Sequence, residues 1–167
     1  MGHVSYSEEI NATPEQVWAV ISEATRLPEW AYDDGRYPYP VEAHYGTDQH
    51  EGVGTIWVGV SADGQKATQK VTAWEPGQKL VYELEAIENA PMEMTQVNTF
   101  ALKATAGGTQ VTWSVDWSIA SGFSLNKLLV RFTGDGAFEE MIAGSLENLK
   151  DLIENEKVRV IEGEVTD

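Results

Sequence analysis

Residues 107–119 read GGTQVTWSVDWSI. Val111, Trp113, Val115, Trp117 and Ile119 share one parity, and Thr112, Ser114, Asp116 and Ser118 share the other. Successive side chains of a strand point to opposite faces, so this stretch is a strand with one apolar and one polar face. Such a strand needs partners beside it and a layer over its apolar side. The surrounding sequence supplies the partners. Residues 54–62 and 65–74 flank Asp63-Gly64, residues 65–74 and 79–88 flank Pro76-Gly77, and residues 96–105 and 109–120 flank Gly107-Gly108. Each pairing is a hairpin signature, with a loop around Pro91 between residues 79–88 and 96–105.

The covering layer comes from the C-terminal third. From Leu125 the period becomes helical, with Leu128, Phe132, Ile142, Leu146, Leu149 and Ile153 on one face. Gly134-Asp135-Gly136 interrupts it and predicts a kink or two helical pieces. At the other end, Val4, Tyr6 and Ile10 mark a first strand. Thr13-Pro14-Glu15-Gln16 then combines an N-cap, a proline at the first helical position and a capping-box glutamine. A second short helix ends at Glu29-Trp30. The predicted class is α+β: a curved antiparallel sheet of six or seven strands wrapped around a long C-terminal helix, with two short helices after the first strand. Residues 1–156 read as one domain. Residues 157–167 read as a tail, either a short added strand at Val158 and Val160 or a frayed end.

Turn positions convert into strand register, and register decides which side chains face the helix. Two-residue turns at Asp63-Gly64 and Gly107-Gly108 put Val58 opposite Gln69, Ile56 opposite Val71, Leu102 opposite Trp113, Phe100 opposite Val115 and Asn98 opposite Trp117. A Pro76-Gly77 turn puts Ala73 opposite Leu80 and Val71 opposite Tyr82. The inner face then carries Ile56, Val58, Val60, Val71, Ala73, Leu80, Tyr82, Leu84, Phe100, Leu102, Trp113, Val115 and Trp117. Lys66, Lys70, Lys79, Glu83, Glu85, Thr112, Ser114 and Asp116 face outward, and so do Trp57 and Trp74. Gln69, Asn98 and the Tyr82 hydroxyl break the apolar side, joined by Glu8 if the first strand alternates strictly. An apolar wall with sparse polar groups describes a ligand pocket.

Composition narrows the partners. The 167 residues carry 27 acidic against 11 basic side chains, a formal net charge of −16. That surface repels phosphate backbones and anionic head groups, so nucleic acid is not an expected partner. No apolar run approaches the roughly 18 residues of a membrane span. The first residues lack the pattern of a secretory signal. Cysteine is absent, which removes thiolate chemistry and fits a reducing, cytoplasmic setting. His3, His44 and His50 are the only histidines, and none has metal-ligand spacing. Neither a metal nor a cofactor is expected.

The segments INATPEQVWAVISEATRLPEW (10–30), VTAWEPGQKLVYEL (71–84), GGTQVTWSVDWSI (107–119) and SLENLKDLIE (145–154) together resemble the polyketide cyclase/dehydratase and lipid-transport superfamily, also called SRPBCC or START-like. The resemblance spans nearly the whole chain in order. It implies the helix-grip fold and a deep cavity between the sheet and the last helix. The superfamily has no catalytic signature that every member shares, so it assigns no catalytic residue here. The stretch AYDDGRYPYPVEAHYGTDQH (31–50) departs from the usual pattern and reads either as a lid over the cavity mouth or as a packed surface loop.

Three readings of function follow. In the leading one the cavity binds a hydrophobic, aromatic or polycyclic small molecule, contacted by Gln69, Tyr82, Asn98, Phe100, Trp113, Trp117 and Phe132. In the second, a cyclase or dehydratase uses the same cavity, with Glu8 or Glu139 moving a proton without a metal. In the third, the chain is a protein-interaction module like the chaperone activators of this superfamily, using the outer face with Trp57 and Trp74, which also suggests a homodimer contact.

Overall fold

The computed structural model describes residues 1–33, 39–90, 93–119 and 125–166, with side chains left aside in 125–134 and 158–166. Seven strands form one antiparallel sheet: β1 (Gly2–Ile10), β2 (Pro40–Tyr45), β3 (Ile56–Ser61), β4 (Lys66–Glu75), β5 (Lys79–Glu88), β6 (Met94–Thr105) and β7 (Gly108–Ile119). Their order is β1-β7-β6-β5-β4-β3-β2, so β1 and β2 are the two edges. Between them the chain crosses by α1 (Pro14–Ile21), a 3-10 turn (Ala24–Arg26) and α2 (Leu27–Trp30). The last element is α3 (Leu125–Thr166). No described helix is long and apolar enough to cross a membrane.

Local chemistry sets the element ends. The Thr13 hydroxyl accepts from the Gln16 amide at 3.2 Å, and the Gln16 side chain accepts from the Thr13 amide at 2.9 Å. That reciprocal pair satisfies donors at the start of α1. α3 is one unbroken helix of 42 residues, about 63 Å at 1.5 Å per residue. The expected division at Gly134-Asp135-Gly136 does not occur. A helix glycine costs only about 1 kcal/mol, while Asp135 holds a sheet side chain, described below. Nor does the chain turn to strand after Lys157, since the helix continues to Thr166. Leu128 and Phe132 lie on α3 but outside the described side chains, and Pro91 lies outside the described residues.

The registers differ from the two-residue-turn reading in informative ways. At the β6–β7 hairpin, Thr105 opposes Gly108, so the pairing shifts by two: Phe100 opposes Trp113 and Asn98 opposes Val115. A shift of two preserves parity, and the inner face of both strands is as expected. At β3–β4 the turn takes three residues. The Ser61 amide donates to the Gln65 carbonyl at 2.9 Å, and Gly64 adopts φ +85. The resulting shift of one places Trp57, not Val58, opposite Gln69. A one-residue slip turns the whole strand over. Trp57 therefore points into the core, where it is 4 % exposed, while Ile56, Val58 and Val60 face the other way. In β4 the register breaks between Val71 and Ala73, so Val71 keeps Tyr82 but Trp74 pairs with Leu80. That bulge brings Trp74 to the inner side against Trp18 of α1, with ring centroids 5.2 Å apart, and turns Ala73 away.

The core lies between the sheet and the helices. Ile142, Leu146, Leu149 and Ile153 of α3 are buried against it, with Val17, Val20 and Ile21 of α1. On the outer face β1 and β7 are joined by a polar ladder: Ser5 to Ser114 at 3.0 Å, Ser7 to Thr112 at 2.8 Å and His3 to Asp116 at 2.6 Å. Near the end of α3, Glu154 accepts from the Asn11 amide at 3.0 Å, and Arg26 pairs with Glu29 at 2.7 Å and with Glu156. Those two acids hold the Arg26 guanidinium charged well above its ordinary pKa.

Midway along α3, Gly144 makes a notch for Tyr32. A methyl at Gly144 would lie 2.4 Å from the Tyr32 ring, and the Tyr32 amide donates to the buried Ser145 hydroxyl at 3.0 Å. Gly144→Ala is expected to destabilise the fold by about 1–3 kcal/mol through overpacking, read as a lower urea midpoint. Tyr32→Ala in the same chain should recover part of that loss.

Candidate functional site

The inner face of β3, β5, β6 and β7 carries a continuous aromatic cluster. Trp57 lies on Tyr82 with centroids 5.0 Å apart, Tyr82 is stacked near Phe100 at 6.1 Å, and Phe100 stacks on Trp113 at 4.7 Å. Trp30, at the end of α2, meets Phe100 and Trp113 edge-on at 6.1 and 5.9 Å. Alternation along each strand puts these rings on one side, and a large ring fills space that an aliphatic side chain cannot reach.

Polar atoms inside this cluster are few and mostly donors. The Asn98 Oδ1 accepts from Trp113 Nε1 at 3.1 Å and from Gln96 Nε2 at 3.4 Å. Among the described residues the Asn98 Nδ2 has no partner, although the residue is only 1 % exposed. Trp30 Nε1 and Trp57 Nε1 are likewise buried without a partner. Burial alone pushes the Tyr82 phenol well above its ordinary pKa. Buried polar groups in native proteins normally have partners, so three stranded donors around one cluster call for an explanation.

The expected contacts sort as follows. Tyr82, Asn98, Phe100 and Trp113 are brought together on the wall. Gln69 shares the inner side and is half-buried opposite Trp57. Trp117 instead ties the sheet to α3: its Nε1 donates to Asp135 Oδ1 at 2.9 Å, and its ring packs on Phe138 at 5.7 Å. The side chain of Phe132 lies outside the described residues. Sequence reasoning missed Trp30, Trp57 and Gln96. Gln96 was legible, because it has the parity of Asn98. Trp57 needed the three-residue turn, and Trp30 needed the path of α2.

The two acid–base candidates lie elsewhere. Glu8 opposes Val111, four residues along β7 from Val115, the partner of Asn98. That separation is about 13 Å along the strand. Glu8 lines a cleft of about 400 Å³ between β1, Tyr32 and α3, shared with Glu140 and Glu147. It accepts from Lys150 at 3.2 Å, and that bond raises the lysine pKa. Glu139 is exposed on α3. Glu8 has the inner parity, as strict alternation of β1 predicts, but lies well along the sheet from the Asn98–Tyr82 group, and Glu139 is exposed. The outer-face reading of Trp57 and Trp74 is also overturned, since both rings are on the inner side. A homodimer or a partner protein loses the aromatic patch that suggested it.

Comparison with known proteins agrees with this architecture. A profile of the family described as polyketide cyclase/dehydrase and lipid transport matches residues 1–154. The chain belongs to that family. Among solved structures it is similar to XoxI from Bacillus cereus, at 20% identity and a TM-score of 0.66, over 94% of this chain and 99% of that one. It is also similar to MLL2253 from Mesorhizobium loti, at 20% identity and 0.65, over 92% and 98%. A Rhizobium leguminosarum protein matches at 16% identity and 0.66, over 92% and 95%. At these identities the likeness shows the fold, a seven-stranded helix-grip sheet with a long final helix. No curated protein matches the chain at a significant level. The family's description, polyketide cyclase/dehydrase and lipid transport, points to a hydrophobic ligand-binding fold.

The phenols give a pH test. Tyr82 is raised by burial, and Tyr45 is pushed up to about 12 by burial and by its bond to Glu23. Folded protein then holds these protons more tightly than unfolded chain, whose tyrosines ionise near pH 10. Their contribution is complete below about pH 10 and is lost as pH rises toward the folded values. Urea midpoints should fall from pH 10 to 12, and Tyr82→Phe should flatten that fall.

Proposed function

We propose that this chain binds a hydrophobic small molecule, aromatic or polycyclic and bearing a carbonyl or similar acceptor, between the inner sheet face and α3. The observation that carries the reading is the set of stranded donors on the aromatic wall: Asn98 Nδ2, Trp57 Nε1 and Trp30 Nε1. Each unmet buried donor costs about 1–3 kcal/mol, and an acceptor on a guest would remove that cost. The rings supply the apolar contact area, and the amide and indoles orient the guest. The rings of the wall touch one another, so entry parts them. Gln69 extends this proposed contact set along the wall. Catalysis in the same space has no comparable support, because neither Glu8 nor Glu139 is near the donors.

The test pairs two probes of one shape, 9-fluorenone and fluorene, which differ in a carbonyl oxygen. Fluorenone should raise the melting temperature more than fluorene, by mass action on the folded state. Trp57→Phe keeps a ring and removes one stranded donor. It should leave the free protein as stable or more stable and weaken fluorenone by about tenfold, the equivalent of one hydrogen bond. Organic extraction of purified protein followed by mass spectrometry should recover an oxygen-bearing apolar molecule. If no polycyclic probe shifts the melting temperature and extraction is empty, the proposal fails.

A further inference from the structure

A second cleft, away from the inner wall, has a different chemistry. It encloses about 380 Å³ between α1, the start of the 3-10 turn, β2 and β4, and is lined by Trp18, Ser22, Glu23, Tyr45, His50, Glu51 and Trp74 with Ala19. Four of these are aromatic rings. Tyr45 and His50 stack at 4.0 Å with planes 13° apart, and Trp18 meets Trp74 edge to face at 5.2 Å and 81°. Its acidic groups are two carboxylates, and no lysine or arginine among the described residues lines the space.

The walls are held in place. The Tyr45 hydroxyl donates to Glu23 Oε1 at 2.8 Å, and the same oxygen accepts from the Thr25 hydroxyl at 2.7 Å. Burial pushes the Glu23 carboxyl up, but those bonds outweigh it and hold it below its ordinary pKa, with a contribution from His50. The loop that carries His50 and Glu51 is braced by Gln49, whose amide donates to the carbonyls of Glu51 and Val53, both at 2.9 Å. Trp74 is brought to the cleft by the β4 bulge, so a feature of sheet register builds one wall.

From this juxtaposition of rings and carboxylates we infer that the cleft binds an organic quaternary ammonium group. Ring faces attract a cation through their quadrupole, and they do so best when the cation is weakly hydrated, as a methylated ammonium is. Glu23 and Glu51 add the counter-charge. A bare metal ion is a poorer fit, because among the described residues no three His, Asp or Glu side chains are arranged to hold one. An anion is repelled by both carboxylates. A neutral apolar molecule would gain ring contact but leave the carboxylates unanswered. The surface charge of −16 raises the local concentration of any organic cation.

The experiment compares choline with 3,3-dimethylbutan-1-ol, in which carbon replaces the charged nitrogen at nearly the same shape. Binding is read by calorimetry and by the indole N–H signals of Trp18 and Trp74, identified by single substitutions. Choline should bind saturably and shift those two signals, while the neutral alcohol binds at least about tenfold more weakly. Glu51→Gln, an exposed position, should weaken choline by several-fold without altering the melting temperature. Tyr45→Phe keeps the ring and should retain binding, and Tyr45→Leu should lose it. Equal affinity for choline and the alcohol, or choline binding that ignores Glu51→Gln, overturns the inference. So does the absence of saturable binding in wild-type protein. Fluorenone binding at the inner wall is a separate readout, so either site can fail without the other.

Discussion

The sheet has one apolar face, and the described part of α3 lies closest to only two of its strands, β1 and β7. Toward β5 and β3 the helix draws away, and something must still keep water off the inner side. Large rings do this. Trp57, Tyr82, Phe100, Trp113 and Trp30 reach across a gap that valine could not fill. The two tryptophans of β7 therefore have different tasks. Trp117 lies where the helix is near and is tied to Asp135. Trp113 lies farther along and joins the ring cluster through Asn98.

A wall built from indoles and an amide carries a consequence. Each indole brings an N–H that cannot be left behind, and Asn98 Oδ1 is already occupied by Trp113 and Gln96. The donors on Trp30, Trp57 and Asn98 find no partner among the described residues. Most folds avoid such an imbalance. On the proposed reading it is half of a contact whose other half is a guest. The cleft around Tyr45 has a different chemistry, two carboxylates among four aromatic rings.

Much of the fold was legible because local rules suffice for it. The capping box at Thr13 and Gln16 is a four-residue device, and the strand alternation of 107–119 needs no neighbours to be read. The β6–β7 face survived a mistaken turn position because the error was two residues, and parity has a period of two. The same kind of error by one residue reversed β3. Asp63-Gly64 looks like a two-residue turn, yet Ser61 and Gln65 close a three-residue one with Gly64 left-handed. In β4 no local signal marks the break after Val71, and it moved Trp74 from one side to the other. The unbroken course of α3 through two glycines was illegible for a related reason: packing on the sheet outweighs a weak local preference.

What the residues determine by themselves is a set of short-range facts: which stretches are strands, where α1 begins, that one long helix must cover one apolar face, and that the surface is strongly acidic. These depend on spacings within a few residues. Which tryptophans share a side, which donors find acceptors and where two carboxylates meet four rings depend on bulges, turn lengths and the approach of distant elements. Those are settled only when the sheet closes around the helices, because a single inserted residue reverses a strand's faces while leaving its pattern unchanged.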